Sequence, residues 1–199
     1  MSDAKTLQPT LIENIWPSHA GSSGLLRGVL LAVLGAAALT VSAKISVPFY
    51  PVPMTMQTYV VLMIGMAYGL RLGVATVALY LAQGAVGLPV FATGGGIAYF
   101  AGPTGGYLVG FLVAAAAMGA LADRGWSRSL AKVFAALALG TVIPFLLGVS
   151  WLAVFLGDFG KAVAGGLLPF IWGSVFKFAL AAATLPFAWK LVERLKSKS

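Results

Sequence analysis

The chain has 199 residues, of which 60% are hydrophobic and 9% are charged, and it contains no cysteine. Soluble globular proteins carry about 25% charged residues, so this composition excludes a water-exposed surface over most of the chain and indicates a lipid environment. The lack of cysteine excludes disulfides and thiolate sites. The formal net charge of +8 is distributed as expected for membrane orientation, and we expect no nucleic-acid partner.

The amino-terminal segment does not resemble a cleaved signal peptide, because it has no basic region leading into an apolar stretch. We interpret residues 1–24 as a cytoplasmic tail with a short interfacial helix at about residues 11–16. Residues 25–191 are predicted to form one transmembrane domain, and residues 192–199 a basic cytoplasmic tail.

Long stretches without charge divide the rest of the chain into membrane spans. A spanning helix needs roughly 20 predominantly apolar residues. The second and third spans meet at residues 69–71 and are predicted to form a tight helical hairpin. The fold class is therefore an all-α integral membrane protein of six transmembrane helices, at residues 25–43, 54–70, 72–90, 104–121, 133–155 and 167–191.

Basic residues set the orientation. If the amino terminus is inside, ten lysines and arginines fall on the inner side, and two, Lys44 and Lys161, fall on the outer side. Cytoplasmic loops carry the excess of basic residues, so both termini are predicted to be cytoplasmic. The ten inner residues are Lys5, Arg27, Arg71, Arg124, Arg128, Lys132, Lys190, Arg194, Lys196 and Lys198.

Two segments on the outer side are irregular but apolar. Residues 46–55 contain three prolines, which prevent a helix, and residues 88–106 contain six glycines with aromatic residues between them. Such backbone is tolerated at membrane depth only when it is buried in protein or lines a cavity. Two interpretations stay open: packed connectors, or loops that cap a ligand pocket.

An enzyme is not expected. The single histidine, His19, lies in the tail, four of the five acidic residues are predicted to be cytoplasmic, and Asp158 ends the fifth span. No nucleophile–base set can be assembled, and a phosphate-binding Gly-x4-Gly-Lys-Ser/Thr motif is absent. We therefore predict no catalytic residues, metal site, cofactor or nucleotide hydrolysis, and energy for transport would come from elsewhere.

Lys177 lies about ten residues into the last span. A lysine at a helix centre costs roughly 2.5–3.5 kcal/mol to insert, and no predicted span contains a carboxylate. One interpretation is that Lys177 snorkels, bonds backbone carbonyls or pairs with Asp158. The other is that its counter-ion arrives with the substrate, an anionic and mostly apolar small molecule.

Small residues recur every four positions along the first span. This pattern lets helices approach closely and occurs widely in internal packing. It is also compatible with a docking face for another membrane subunit. The residues are Gly28, Ala32, Ala36 and Thr40.

Three motifs in order resemble the biotin-specific BioY family, the substrate-binding subunits of energy-coupling-factor (ECF) transporters. They are residues 51–58 (PVPMTMQT), 87–92 (GLPVFA) and 102–108 (GPTGGYL). A fourth segment, residues 168–177 (LPFIWGSVFK), resembles the family's Pro-Phe-Ile-Pro-Gly-Asp-x-x-Lys pattern. Trp172 replaces the usual proline and Ser174 the usual aspartate, whereas the lysine, Lys177, is retained.

The resemblance implies a six-helix substrate-capture subunit in the plasma membrane of a prokaryote. A separate transmembrane coupling subunit and two ATPases would supply energy, and the small-residue face of the first span would dock the coupling subunit. Some members of the family are thought to transport without these partners.

Biotin would match the residues as follows. Its carboxylate would pair with Lys177. Its chain and rings would contact the aromatic residues Phe49, Tyr50, Phe91, Tyr99, Trp151 and Trp172. Its ureido group would bond to one of the polar residues Gln57, Thr104, Tyr107 and Ser174, the last as a neutral hydrogen-bonding group. Two alternatives remain: a binding subunit for another vitamin, and a structural membrane protein without a ligand.

The predicted topology can be tested with single cysteines, since the chain has none of its own. In intact cells, Ser199→Cys should be protected from an impermeant thiol reagent, and Ala92→Cys should be labelled. Labelling of position 199 from outside would contradict the predicted orientation.

Overall fold

The computed structural model describes residues 8–17 and 22–197, which form mainly helices. The predictions for Lys5, His19, Lys198 and Ser199 lie outside these residues. Short 3-10 turns connect some of the helices, at Ile97–Ala101, Trp126–Arg128 and Leu168–Phe170. The helices and strands are α1 (Leu11–Ile15), α2 (Ser22–Lys44), β1 (Ser46–Val47), β2 (Met54–Thr55), α3 (Gln57–Ala85), α4 (Gly105–Ala122), α5 (Leu130–Leu156), α6 (Phe159–Gly166) and α7 (Ile171–Lys196).

Five stretches of the described chain are long and apolar enough to cross a membrane. The predicted first, fourth and fifth spans agree with α2, α4 and α5 to within three residues at each end. The second and third predicted spans both overlap α3, and they extend three residues before its start and five residues past its end. The helical class is confirmed. The five stretches are Ser23–Lys44, Gln57–Ala85, Gly105–Ala122, Leu130–Leu156 and Phe159–Lys196.

Helix α3 consists of two helical arms joined in a hairpin and is not one continuous helix. Gly69 interrupts it with φ 78° and ψ −178°, a conformation open essentially only to glycine. Gln57 Nε2 lies 2.6 Å from the Tyr80 hydroxyl, although the two residues are 23 positions apart. In a continuous helix that separation would be about 34 Å. The two arms, residues 57–68 and 70–85, are therefore antiparallel, in agreement with the predicted hairpin.

The carboxylate of Asp123, at the end of α4, holds the hairpin turn. The Leu70 N–H donates to Asp123 Oδ2 at 3.2 Å. A Cβ on Gly69 would also collide with Asp123 Oδ1. Arg71 and Arg124 flank this contact in the sequence. We call this end of the bundle the arginine end, and the opposite end, with the segments 46–55 and 88–104, the loop end.

Two of the small residues of α2, Ala32 and Ala36, face the inside of the bundle. Ala36 is 0% exposed and packs in a core cluster with Val61 and Val77, one from each arm of α3. Ala32 is buried, Gly28 and Thr40 are half-buried, and the Thr40 hydroxyl donates to the Ala36 carbonyl at 2.9 Å. Ala32 and Ala36 therefore serve internal packing, whereas Gly28 and Thr40 stay partly accessible, and docking of a partner on this face remains a prediction.

Helices α4 and α5 approach each other closely at two glycines. A Cβ on Gly110 would lie 2.6 Å from Pro144 Cα, and a Cβ on Gly106 would lie 2.6 Å from the Leu147 carbonyl oxygen. Neither distance admits a side chain, so the two backbones are in contact here. This contact places Pro144 and the next residue, Phe145, beside the interior of the loop end.

The proline-rich segment, residues 46–55, forms no helix, as predicted. It forms a small β-hairpin instead. Strands β1 and β2 are antiparallel, with Ser46 opposite Thr55 and Val47 opposite Met54. Residues 88–104 are also irregular apart from the turn Ile97–Ala101. The two segments meet the helices at the same end, so they stand over the interior between the helices.

The last predicted span began too early. Residues 167–170 are not α-helical: helix α6 ends at Gly166, a 3-10 turn occupies Leu168–Phe170, and α7 begins at Ile171. Pro169 lies within that turn, where its missing N–H leaves no hydrogen bond broken. Helix α6 itself was not predicted. Its start is capped by Asp158, whose side chain accepts from the Lys161 N–H at 3.0 Å.

The described part of the amino-terminal tail is docked against the arginine end. A short helix forms where one was expected, and its Leu11 is buried in a core cluster with residues of α3, α5 and α7. The Gln8 N–H donates to the Asp123 carbonyl at 2.9 Å, and Arg128 donates to the Pro9 carbonyl at 3.1 Å. This segment therefore closes the bundle opposite the loop end.

The packing of α2 can be tested by enlarging one buried residue. Ala36→Leu should destabilise the protein by about 1–3 kcal/mol, because extra methyl groups must enter a filled core. The next residue, Ala37, is exposed, so Ala37→Leu is the matched control and should be close to neutral. Thermal unfolding in detergent measures both, and equal stability of the two variants would contradict the inward orientation.

Candidate functional site

A cavity lies inside the loop end, with about 550 Å³ of empty space counted to its open mouth. Loop segments and four helices build its wall. The lining residues are Val52, Pro53, Thr55, Gln57, Thr58, Phe91, Ala92, Tyr99, Thr104, Tyr107, Leu108, Phe111, Pro144, Phe145, Phe170 and Lys177.

Both irregular segments contribute to this wall, which favours the interpretation that they cap a pocket over that of packed connectors. Val52 and Pro53 come from the first segment, and Phe91 and Tyr99 from the second. The structure brings together six of the eleven residues predicted to bind the substrate: Gln57, Phe91, Tyr99, Thr104, Tyr107 and Lys177.

Lys177 is the cationic group of the cavity. It is 6% exposed, on the face of α7 that lines the cavity. Within residues 8–17 and 22–197 it has no ion-pair or hydrogen-bond partner. No contact therefore supports the interpretation that Lys177 bonds to backbone carbonyls. A buried ammonium without a partner is costly. An anionic ligand would remove that cost.

Asp158, the alternative partner considered for Lys177, is engaged elsewhere. Its Oδ2 lies 3.7 Å from Lys161 Nζ, and its Oδ1 accepts from the Lys161 N–H at 3.0 Å. That backbone hydrogen bond lowers the pKa of the Asp158 carboxyl. Asp158 and Lys161 therefore form a pair of their own.

Gln57 stands at the start of α3 in a chain of hydrogen bonds. Its Nε2 donates to the Tyr80 hydroxyl at 2.6 Å, and the Tyr80 hydroxyl donates to the Val90 carbonyl at 3.2 Å. The Thr55 hydroxyl donates to Gln57 Oε1 at 3.1 Å. The chain thus ties the two irregular segments together through both arms of α3.

Aromatic side chains form two parts of the wall. Phe91 packs against Tyr99 with ring centroids 4.8 Å apart, and edge-on against Tyr80 at 5.4 Å. On the other part, Phe145 packs against Phe170 at 6.0 Å and against Tyr107 at 6.3 Å. Such pairs form rigid apolar surfaces suited to rings and alkyl chains.

The Tyr107 hydroxyl is already used by the protein. It donates to the Gly166 carbonyl at 2.7 Å and so joins α4 to the end of α6. Its hydrogen is therefore engaged, so toward a ligand the hydroxyl oxygen can only accept, and a contact with the ureido group remains a prediction. The ring of Tyr107 still lines the cavity.

Five residues predicted to bind the substrate lie outside the cavity wall. Trp172 is 82% exposed and Tyr50 is 92% exposed, so both point away from the interior. Ser174 lines a separate apolar groove between α5 and α7. Trp151 and Phe49 hold structure instead: Trp151 Nε1 donates to the Gly102 carbonyl at 2.8 Å, and Phe49 packs against Phe170 at 6.2 Å.

Ten lining residues were not predicted. Thr55, Thr58 and Phe170 lie inside the recognised motifs, so their position in the sequence was a usable signal. Phe111 and Phe145 gave no such signal, because an apolar residue of a span looks the same whether it faces lipid or a cavity. The same motifs also contain the lining residues Val52, Pro53, Ala92 and Leu108, whereas Pro144 lies outside them.

Comparison with known proteins identifies the family. The family model described as the BioY family matches residues 13–194. The chain belongs to the BioY family. A BioY-family relative named biotin transporter BioY, from Thermotoga maritima, is 39% identical over 158 residues, covering 79% of this chain and 92% of that protein. The biotin transporter BioY of Rhizobium etli is 38% identical over 168 residues, covering 78% and 89%.

The fold of this chain also matches that of a solved structure. A crystal structure at 2.1 Å of the S-component for biotin from an ECF-type ABC transporter superposes with a TM-score of 0.72. The match covers 86% of this chain and 95% of that one at 23% identity, so it establishes the shared fold. The BioY-family relatives are named as transporters, and no group of three metal-ligating side chains occurs in the described residues of this chain.

Proposed function

We propose that this BioY-family protein binds biotin and captures it for uptake, as the substrate-binding subunit of an ECF-type importer. The observation that carries this proposal is the ammonium of Lys177 inside a mostly apolar cavity, where none of the described residues pairs with it. The names of the relatives in Thermotoga maritima and Rhizobium etli support biotin as the ligand.

Biotin has three chemical parts, and the cavity offers a match for each. Its carboxylate supplies the counter-ion of Lys177. Its alkyl chain and fused rings fit the aromatic pairs around Phe91 and Phe145. Its ureido group needs neutral donors and acceptors, which Gln57 and Thr104 provide in the wall.

The proposed topology has six spans, with the two arms of α3 counted separately. The arginine end faces the cytoplasm and the loop end faces outward, so the cavity opens toward the external medium. The distribution of basic residues supports this orientation. For an importer of a prokaryote, the membrane is the cytoplasmic membrane.

Energy for uptake is proposed to come from partner subunits, a transmembrane coupling subunit and ATPases. The described part of the chain has no acidic residue within its candidate spans other than Glu193 in the last turn of α7, which disfavours proton coupling through this subunit alone. The fold shared with the S-component of an ECF-type ABC transporter supports such a coupling module.

The test of the proposed function is Lys177→Met, which keeps apolar volume and deletes the charge. Biotin binding, measured by calorimetry on the purified protein, should weaken by about 2–5 kcal/mol, the scale for truncating one partner of a buried charge pair. The free protein should lose no stability, because a buried unpaired ammonium has been removed.

Lys161→Met is the matched control. Lys161 carries the same charge at the loop end but is exposed and paired with Asp158, so its loss should leave biotin affinity unchanged. Biotin amides should bind wild type and Lys177→Met almost equally. A destabilised Lys177→Met protein that binds biotin at full strength would overturn the assignment, and preference for thiamine or riboflavin would overturn biotin as the ligand.

A further inference from the structure

Tyr80 lies directly behind the cavity wall and is 0% exposed. Its ring packs against Phe91, and its hydroxyl bonds to Gln57, and both of these residues line the cavity. Tyr80 itself is not a lining residue. Any influence of Tyr80 on a ligand therefore acts through Gln57 and Phe91.

The hydrogen bonds of Tyr80 fix the orientation of the Gln57 carboxamide. The phenol has one hydrogen, which it donates to the buried Val90 carbonyl at 3.2 Å. Toward Gln57 the phenol oxygen can therefore only accept, so Nε2 must face it, at 2.6 Å. A turned amide would take the phenol hydrogen away from the Val90 carbonyl and leave that buried group unpaired.

Thr55 holds the other side of the same carboxamide. The Gln57 backbone N–H donates to the Thr55 hydroxyl at 3.2 Å, and that hydroxyl donates to Gln57 Oε1 at 3.1 Å. Each end of the carboxamide thus has one bond to protein. One hydrogen on Nε2 and one lone pair on Oε1 remain, on the side chain that lines the cavity.

We propose that Tyr80 is a positioning residue that sets the Gln57 carboxamide to recognise the ureido group. The inference rests on the proposed function. One edge of a cyclic urea presents an N–H next to a carbonyl oxygen. The remaining Nε2 hydrogen matches that oxygen, and the remaining Oε1 lone pair matches that N–H, so a fixed amide forms two hydrogen bonds at once.

The test is Tyr80→Phe, which keeps the ring packed on Phe91 and deletes only the hydroxyl. Biotin binding should weaken on the order of 10-fold, because the amide is no longer held in one orientation. In a double-mutant cycle with Gln57→Leu, the double variant should bind no more weakly than Gln57→Leu alone. Additive losses would show that Tyr80 does not act through Gln57.

Tyr59→Phe is the matched control. The Tyr59 hydroxyl lies 3.2 Å from Thr184 Oγ1, in a pair that joins α3 to α7, and Tyr59 does not line the cavity. The substitution removes this tyrosine hydrogen bond between two spans. Biotin affinity should nevertheless stay within about twofold of the wild type. An equal loss of affinity in both tyrosine variants would assign Tyr80 a general structural role.

The ligand profile separates positioning from stability. In 2-iminobiotin the urea oxygen is replaced by a nitrogen donor, so that edge presents two donors and the Gln57 carboxamide forms only one hydrogen bond with it in either orientation. The preference of the wild type for biotin over 2-iminobiotin should therefore fall about 10-fold in Tyr80→Phe. An unchanged preference would overturn the inference, whereas a wild type that binds no biotin would overturn the proposed function itself.

Discussion

The buried ammonium of Lys177, which no residue of the described chain neutralises, is the main constraint on what the cavity can bind. Lipid cannot solvate the ammonium of Lys177, and the described chain gives it neither a carboxylate nor a carbonyl. The surrounding wall is largely aromatic and aliphatic, so an anion that enters meets Lys177 in a medium of low polarity, where charge attraction is strong. An anionic ligand with an apolar body suits both features.

The helices that build this wall are brought together by glycine. Gly69 reverses α3 and so brings Gln57 within reach of Tyr80. Gly110 lets α4 rest on α5 at Pro144, which places Phe145 in the wall. Without these close approaches the cavity would lose either its polar group or one of its aromatic faces.

The irregular segments at the loop end are stabilised by polar side chains from the helices. Lys44 donates to the Phe91 carbonyl at 2.6 Å, and Trp151 donates to the Gly102 carbonyl at 2.8 Å. Backbone carbonyls without a regular ladder need such donors when water is scarce. The loops can therefore be shaped as a wall of the cavity while their carbonyls stay bonded.

The sequence by itself determined the helical class, the hairpin at Gly69 and the presence of a lone charge, Lys177, within the last span, because hydropathy, glycine and charge are local signals in lipid. It did not determine which side of a span faces the cavity. Ala36 and Trp172 show why: an apolar environment surrounds a spanning helix on every side, so composition does not distinguish lipid from protein. Only the tertiary structure turned Ala36 inward, placed Trp172 outside, and joined Gln57 to Tyr80 across the hairpin, since these relations depend on how the helices are packed.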